Sequence, residues 1–138
     1  MIELWDTSAL ILAARDHRAG ALLADALAAD EVALCEPILI EYLNGARNAA
    51  EYDRYETALR AARVVATEAE DWHQALYVHR ELARRAAGLQ RSVRLPDLII
   101  AAVAAREAMP IVHCDADYDR VAAITGQASR WIVPRGSA

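Results

Sequence analysis

The sequence predicts an α/β protein in which a parallel sheet carries helices on both faces. Short apolar segments typical of buried strands alternate with longer segments in which Leu and Ala recur at helical spacing. Strands that are joined through helices run parallel, so this alternation favours one parallel sheet. A length of 138 residues suits a single domain, which we assign to residues 1–138.

The predicted elements alternate along the whole chain. Short apolar runs predict strands at residues 1–5, 32–34, 64–65, 110–112 and 131–133. Helical spacing predicts helices at residues 9–14, 19–29, 36–45, 49–62, 68–87, 98–108 and 118–125.

Capping and breaking residues place the helix boundaries in the first half. Asp6-Thr7-Ser8 follows the first strand and suits a helix cap. Asp16 and Gly20 mark a break between the first two helices. Glu36-Pro37 predicts the start of the third helix, because proline is tolerated in the first helical turn.

The second half contains a long amphipathic helix and a very apolar one. The amphipathic helix ends near Gly88, and residues 88–95 are predicted to form a loop. Pro96-Asp97 then opens the most apolar helix of the protein, which we expect to be buried. His113-Cys114-Asp115 continues from the fourth strand into an acidic turn.

Composition excludes several reaction classes. All 15 basic residues are Arg, and without Lys neither a P-loop NTPase nor a Schiff-base enzyme is expected. The net charge of −5 argues against a general nucleic-acid coat protein, although a local basic patch is compatible with it. Arg also binds phosphate in a bidentate manner.

The chain is expected to be cytoplasmic and to have no membrane partner. Its longest apolar run, residues 98–105, is far shorter than the ~20 residues of a membrane span, and its start lacks the features of a secretion signal. Two cysteines make no disulfide framework. Residues 133–138 are a candidate flexible tail that partly resembles a protease-site remnant of a cloning vector and partly continues the last strand.

Four acidic residues lie where parallel sheets bind ligands, beyond the carboxyl ends of strands. Asp6 and Asp115 each follow a predicted strand. Glu41 and Asp97 lie in helices that begin on the same side. Because gathered carboxylates repel, a divalent cation would explain the arrangement, and oxygen ligands without a zinc-type His/Cys cluster favour Mg²⁺, with Mn²⁺ able to substitute.

A site of this type hydrolyses phosphodiester bonds with a metal-activated water. The expected metal ligands and catalytic residues are Asp6, Glu41, Asp97 and Asp115. Glu41 would bind a second metal or act through water. Asp117 and Asp119 would be outer ligands of the metal, and Ser8 would hydrogen-bond a metal ligand or metal-bound water.

Each acid also has an ordinary structural interpretation. Asp6 could only cap a helix, Asp97 could only favour a helix dipole, and Glu41 could be an exposed helix residue. The segment from Asp115 to Asp119 begins like a calcium loop, but Arg120 stands where that loop requires Gly, so a calcium loop is excluded.

Four segments together resemble the four motifs of the PIN-domain family, and their spacing resembles its VapC toxin branch. These segments are Leu4-Trp5-Asp6-Thr7-Ser8-Ala9-Leu10, Ile40-Glu41, Leu95-Pro96-Asp97-Leu98-Ile99-Ile100-Ala101-Ala102 and Asp115-Ala116-Asp117-Tyr118-Asp119. The resemblance covers nearly the whole chain.

The resemblance implies a three-layer α/β/α sandwich with a central, mostly parallel sheet of about five strands. It implies a Mg²⁺-dependent endoribonuclease that acts as the toxin of a toxin–antitoxin system. It also implies an RNA substrate, a homodimer, and a VapB-type antitoxin whose C-terminal segment blocks the site with a basic residue. Toxin and antitoxin are then expected to assemble into a larger complex.

His113 departs from the family pattern, which often has Thr or Ser two residues before the fourth acid. We therefore expect a different hydrogen-bond arrangement around Asp115, with pH sensitivity near neutrality. A lone histidine is otherwise more often structural.

Arginines between the fifth helix and Asp97 form the candidate RNA contact strip. They are Arg80, Arg84, Arg85, Arg91 and Arg94. The alternative is a solvated helix face paired with acids such as Glu81.

Three alternative functions share the α/β fold or the acidic site predicted here. A phosphoacceptor receiver domain needs a Lys and paired acids after its first strand, and this sequence has neither. A PIN-like module that binds partners without catalysis, and a DNA or structure-specific nuclease with the same metal site, stay open.

Overall fold

The computed structural model describes residues 1–137, which form five strands, seven α-helices and one 3-10 helix. The strands are β1 (Glu3–Trp5), β2 (Val32–Cys35), β3 (Arg63–Val65), β4 (Ile111–His113) and β5 (Ser129–Trp131). The helices are α1 (Thr7–Arg15), α2 (His17–Ala28), α3 (Glu36–Leu43), α4 (Ala49–Leu59), α5 (Ala69–Arg85), α6 (Leu95–Arg106) and α7 (Asp117–Thr125). The 3-10 helix, Leu89–Ser92, lies within the segment predicted to be a loop.

All four strand pairs are parallel, and the sheet order is β3-β2-β1-β4-β5. In the middle of the sheet, Leu4 of β1 pairs with Ala33 of β2 on one side and with Ile111 of β4 on the other. From β1 the chain continues towards β2, whereas from β4 it continues towards β5 on the other side. The strand order therefore reverses between β1 and β4, and the carboxyl ends of these two strands flank the usual ligand position of such a sheet.

The helices pack in two groups. In one group α1 contacts α2 and α3, and α3 contacts α4; in the other, α5, α6 and α7 contact one another. Right-handed crossovers place these groups on opposite faces of the sheet, which confirms the three-layer α/β/α arrangement. α3 also contacts α6 and links the two groups. Within residues 1–137 no helix combines the length and apolarity needed to cross a bilayer.

The burial of helix α6 explains its unusually apolar composition. It is buried continuously from Asp97 to Ala104, so its apolar residues surround the helix rather than lining one face. The prediction of a buried helix is confirmed.

The break between α1 and α2 lies at Asp16 and not at Gly20. Asp16 ends α1 and caps α2, where its carboxylate accepts a hydrogen bond from the backbone nitrogen of Ala19 at 2.8 Å. Gly20 lies inside α2, and a β-carbon there would approach the carbonyl oxygen of Ala13 to 2.9 Å. The glycine thus permits close packing of the two helices rather than ending one.

Strand β5 begins and ends two residues before the predicted position. Its pairing with β4 ends where Trp131 aligns with His113. Ile132 and Val133 follow the strand and are buried, and the backbone nitrogen of Ile132 still donates to the carbonyl oxygen of His113 at 2.8 Å. The apolar run therefore indicated the buried end of the pairing with β4. Of the candidate tail, residues 133–138, position 138 lies outside the described residues.

Candidate active site

Asp6 serves both the fold and the acidic site. It directly follows β1 and caps α1, accepting hydrogen bonds from the backbone nitrogen and the hydroxyl of Ser8 at 3.0 and 2.5 Å. The other carboxylate oxygen accepts from the Tyr118 hydroxyl at 2.6 Å. Asp6 is fully buried, so these donors hold its carboxylate in one orientation. The capping interpretation is correct and does not exclude a role as ligand.

A first group of acids joins three different elements. Asp6 comes from the end of β1, Glu41 from α3 and Asp97 from the first turn of α6, and each offers an oxygen within 4.8 Å of the others. Glu41 is half-buried and accepts a hydrogen bond from the Thr7 hydroxyl at 3.0 Å. The alternative interpretation of Glu41 as an exposed helix residue is therefore wrong.

A second group shares Asp97 with the first. Asp97, Asp115 and Asp117 also offer oxygens within 4.8 Å of one another. Asp115 accepts a hydrogen bond from the backbone nitrogen of Asp117 at 2.9 Å, which orders the turn after β4. The four predicted acids therefore lie in two overlapping groups joined at Asp97, and Asp117 belongs to the second.

Asp119 belongs to neither group. Its carboxylate accepts from the indole nitrogen of Trp131 at 3.3 Å and pairs with Arg135 at 3.4 Å. It therefore helps to attach β5 and the segment after it to α7.

Crowding and burial change the proton affinity of the shared acid. Burial raises the pKa of Asp97 to about 8, and the neighbouring Asp117 and Asp6 act in the same direction, against the guanidinium of Arg94. Burial also raises the pKa of Tyr118 well above its ordinary value. The Tyr118 hydroxyl is therefore protonated and donates to Asp6, while its oxygen lies 3.2 Å from Asp97.

Two arginines partly neutralise the acids. Arg94 contacts Asp97 at 3.2 Å and Glu41 at 3.3 Å, and Arg120 contacts Asp117 at 2.8 Å. Burial acts to lower the pKa of Arg94, but these two carboxylates outweigh it and raise the pKa above its ordinary value. Two cations facing five acidic side chains leave the site with a net negative charge.

Ser8 connects the ends of β1 and β4, and His113 orders the turn that follows β4. The Ser8 hydroxyl accepts from the backbone nitrogen of Cys114 at 2.9 Å, and the His113 Nδ1 accepts from the backbone nitrogen of Asp115 at 3.1 Å. In residues 1–137 no hydrogen-bond partner faces the His113 Nε2.

Burial lowers the pKa of His113, so the imidazole is neutral at pH 7. The expected pH sensitivity at His113 stays a prediction. The ring lies 5.1 Å from each of the rings of Tyr118 and Trp131, measured between centroids.

The candidate RNA strip divides into two parts. Arg80, Arg84, Arg85 and Arg91 are exposed, and Arg84 pairs with Glu81 at 3.0 Å as the alternative interpretation expects. Arg94 is also exposed but turns back onto the acids.

Sequence reasoning missed the roles of three side chains. Thr7 orients Glu41, Tyr118 joins Asp6 and Asp97, and Arg94 acts as counter-charge. Thr7 lies inside the first motif, so its position was a usable signal. The other two contacts depend on long-range packing that no local spacing reveals.

The donor set fits a hard divalent cation. Both groups offer only carboxylate oxygens, which suit Mg²⁺ or Mn²⁺ better than zinc. Carboxylates packed so closely are stabilised when such an ion neutralises them.

Comparisons with known proteins identify one family and several relatives of similar sequence or fold. Residues 4–124 match the family model described as PIN domain. The chain is 43% identical to Ribonuclease VapC18 of Mycobacterium tuberculosis over 99% of each chain. The fold is similar to that in the crystal structure of VapBC2 from Rickettsia felis bound to a DNA fragment from their promoter, with a TM-score of 0.75, 16% identity, and coverage of 95% of this chain and 98% of that one. DNA-bound VapBC from Salmonella typhimurium gives a TM-score of 0.74 at 16% identity, covering 96% of this chain and 100% of that one.

Proposed function

This chain belongs to the PIN-domain family, and on that premise we propose that it is a Mg²⁺-dependent endoribonuclease, the toxin of a toxin–antitoxin pair. The observation that carries the proposal is the pair of acid groups that share Asp97 beyond the ends of β1 and β4. The full-length similarity to Ribonuclease VapC18 favours RNA over DNA as the substrate.

The two acid groups define which residues would hold metal. Asp6, Glu41 and Asp97 would hold one ion, and Asp97, Asp115 and Asp117 would hold a second. When bound, Mg²⁺ lowers the pKa of water and stabilises the charge on the leaving oxygen.

The chain's own residues prepare the acids for this task. Ser8 and Tyr118 hold Asp6 from opposite sides, so its carboxylate cannot rotate away. Thr7 holds one oxygen of Glu41, and the other oxygen, which lies 3.3 Å from Arg94, would bind a ligand or orient a water once that guanidinium moves. His113 fixes the backbone before Asp117 through the nitrogen of Asp115.

We assign RNA binding to the exposed arginines that precede Asp97 in the chain. Arg84, Arg85 and Arg91 carry positive charge along the end of α5 and the 3-10 helix, and Arg94 extends it to the acids. Guanidinium groups bind phosphate in a bidentate manner, which suits a backbone contact without base specificity.

The partner proposal rests on the similar structures and on charge. Two solved structures of similar fold are VapBC complexes bound to DNA, so we assign a VapB-type antitoxin as partner. An anionic site with few counter-ions would accept a basic side chain of that antitoxin, which would block metal and RNA. We also propose a homodimer within a larger cytoplasmic complex, whose mass light scattering would measure.

Cleavage of defined RNA by the purified protein tests the proposal. We expect Mg²⁺ or Mn²⁺ to support cleavage, EDTA to stop it and Asp6→Asn to abolish it. Asp53→Asn is the matched control, because Asp53 is an exposed residue of α4. Cleavage that survives in Asp6→Asn would indicate a contaminant and defeat the proposal.

Two further arms separate the rival functions. A DNA strand of the same sequence identifies a DNA nuclease if it is cut in preference to RNA. A non-catalytic binding module would retain the antitoxin but cut neither strand, and its expression would arrest growth equally with or without Asp6→Asn.

A further inference from the structure

Arg94 lies against the carboxylate that both acid groups share. It is the residue before α6, and its guanidinium turns back so that Nε and Nη2 contact the two oxygens of Asp97 at 3.3 and 3.2 Å. Nη2 also lies 3.3 Å from Glu41. Among residues 1–137 no other arginine pairs with Asp97.

This contact and a bound cation would use the same carboxylates. Asp97 and Glu41 are two of the three acids in the first group. Oxygens that accept from a guanidinium have fewer lone pairs for an ion, and two positive charges at this distance repel each other. The contact therefore opposes metal binding at that group.

Arg94 can leave the acids without disturbing the fold. Its side chain is 57% exposed, whereas Asp97 is fully buried and Glu41 is largely covered. The backbone nitrogen of Arg94 donates to Asp117 at 3.2 Å and keeps the start of α6 in place. Only the flexible end of the side chain has to move.

We propose that Arg94 and the metal ion exchange places: the guanidinium contacts Asp97 and Glu41 in the metal-free protein, leaves when the ion enters, and then binds a phosphate of the RNA. The inference rests on the proposed function and adds a residue whose partner changes between the two states. Its planar fork matches two carboxylate oxygens and two phosphate oxygens equally well.

Binding of Mn²⁺ without RNA tests the first half of the exchange. Titration calorimetry should show Arg94→Ala binding Mn²⁺ about tenfold more tightly than the unsubstituted protein, since no guanidinium has to be displaced. Arg63→Ala is the matched control, because Arg63 is exposed in β3 and lies 4.0 Å from a single acid, Asp30. Arg94→Gln repeats the comparison if Arg94→Ala does not fold. Equal or weaker Mn²⁺ binding by the folded variant overturns the exchange.

RNA cleavage at saturating Mn²⁺ tests the second half. Arg94→Ala should raise the KM for RNA roughly tenfold, and the slope of log KM against log salt should decrease by about 0.7, the value for one phosphate contact on a single strand. Arg94→Lys should restore part of the KM because it retains the charge. An unchanged KM and salt slope overturn the phosphate contact.

The two measurements distinguish this inference from the proposed function. If the unsubstituted protein cuts no RNA in a manner that depends on Asp6, the nuclease proposal fails, and Mn²⁺ titration still decides whether Arg94 and the ion compete. If cleavage depends on Asp6 but Arg94→Ala changes neither Mn²⁺ affinity nor KM, only the exchange fails.

Discussion

Two regions of this protein bury carboxylates and neutralise them differently. Asp71 of α5 is 1% exposed, and Arg106 of α6 contacts it through Nε and Nη2 at 3.0 and 3.1 Å. The same carboxylate caps α5 by accepting from the backbone nitrogen of Glu68 at 2.8 Å. At the acidic site Asp97 is equally buried, but it shares the single guanidinium of Arg94 with Glu41.

The difference separates a structural ion pair from a binding site. Asp71 accepts hydrogen bonds from the guanidinium of Arg106 and from the backbone nitrogen of Glu68, whereas the pKa of Asp97 is raised to about 8 by burial and by neighbouring acids. Crowded acids of this type oppose folding unless a ligand neutralises them. The comparison therefore predicts opposite effects for the same substitution in the two regions.

The largest expected effect is on catalysis. Asp97→Asn should reduce RNA cleavage by at least ~10²-fold, because it removes a carboxylate from both metal groups. Its melting temperature in EDTA should be equal or higher, because one acid of a crowded cluster is gone. Single-turnover cleavage and thermal unfolding measure the two effects.

Asp71→Asn is the control for that comparison. It should lower the melting temperature but retain the activity of each folded molecule, since Asp71 belongs to neither acid group. Similar behaviour of the two variants would show that the two regions do not differ as we infer.

The next largest effect is a pH dependence of the metal-free protein. The pKa of Asp97 is raised in the folded state, so its contribution to stability is fully present below about pH 4 and is lost as the pH rises towards 8. We expect the melting temperature in EDTA to fall by roughly 10 °C between pH 5 and 8 relative to Asp97→Asn. If the melting temperatures of both proteins change with pH in the same way over this range, the raised pKa of Asp97 is contradicted.

A smaller effect is expected at the structural ion pair. Arg106→Ala leaves the buried Asp71 without its cation and should destabilise the fold by about 2 kcal/mol, less than for a fully buried pair because Arg106 is 20% exposed. Urea unfolding at pH 7 measures the loss. If the free energy of unfolding does not change, Asp71 does not depend on this pair.

The smallest effect concerns the hydroxyl between the acids. Tyr118→Phe removes the donor to Asp6 and should weaken Mn²⁺ binding about tenfold, while the fold is retained because the ring still fills its place. Tyr52→Phe, at an exposed position of α4, is the control. Unchanged Mn²⁺ affinity would mean that Ser8 alone orients Asp6.

Much of the fold was predictable because its signals are local. The alternation of apolar runs and helical spacing predicts the α/β class, and proline near the starts of α3 and α6 places those helices correctly. The error at β5 occurred where burial continues beyond the end of the strand. Ile132 and Val133 are apolar because they are buried, although β5 ends at Trp131.

The acids of the site were predictable as a set, but their grouping was not. Asp6 and Asp115 follow strands whose carboxyl ends meet in any parallel sheet, so the sequence predicts that they lie at one edge. The sequence does not indicate that Asp97 is the acid common to both groups or that Asp119 turns away to Trp131. Those facts depend on how α6 and α7 pack against the sheet.

The sequence by itself determined which helices and strands form, which strand ends carry acidic residues, and that reactions requiring Lys are absent. These properties follow from local spacing and residue type. Tertiary structure decided how the acids are neutralised. Tyr118 reaches Asp6 across 112 residues of chain, and Arg94 turns back onto Asp97 instead of extending into solvent. Such contacts depend on the relative positions of packed helices, and a periodic pattern along one segment contains no information about them.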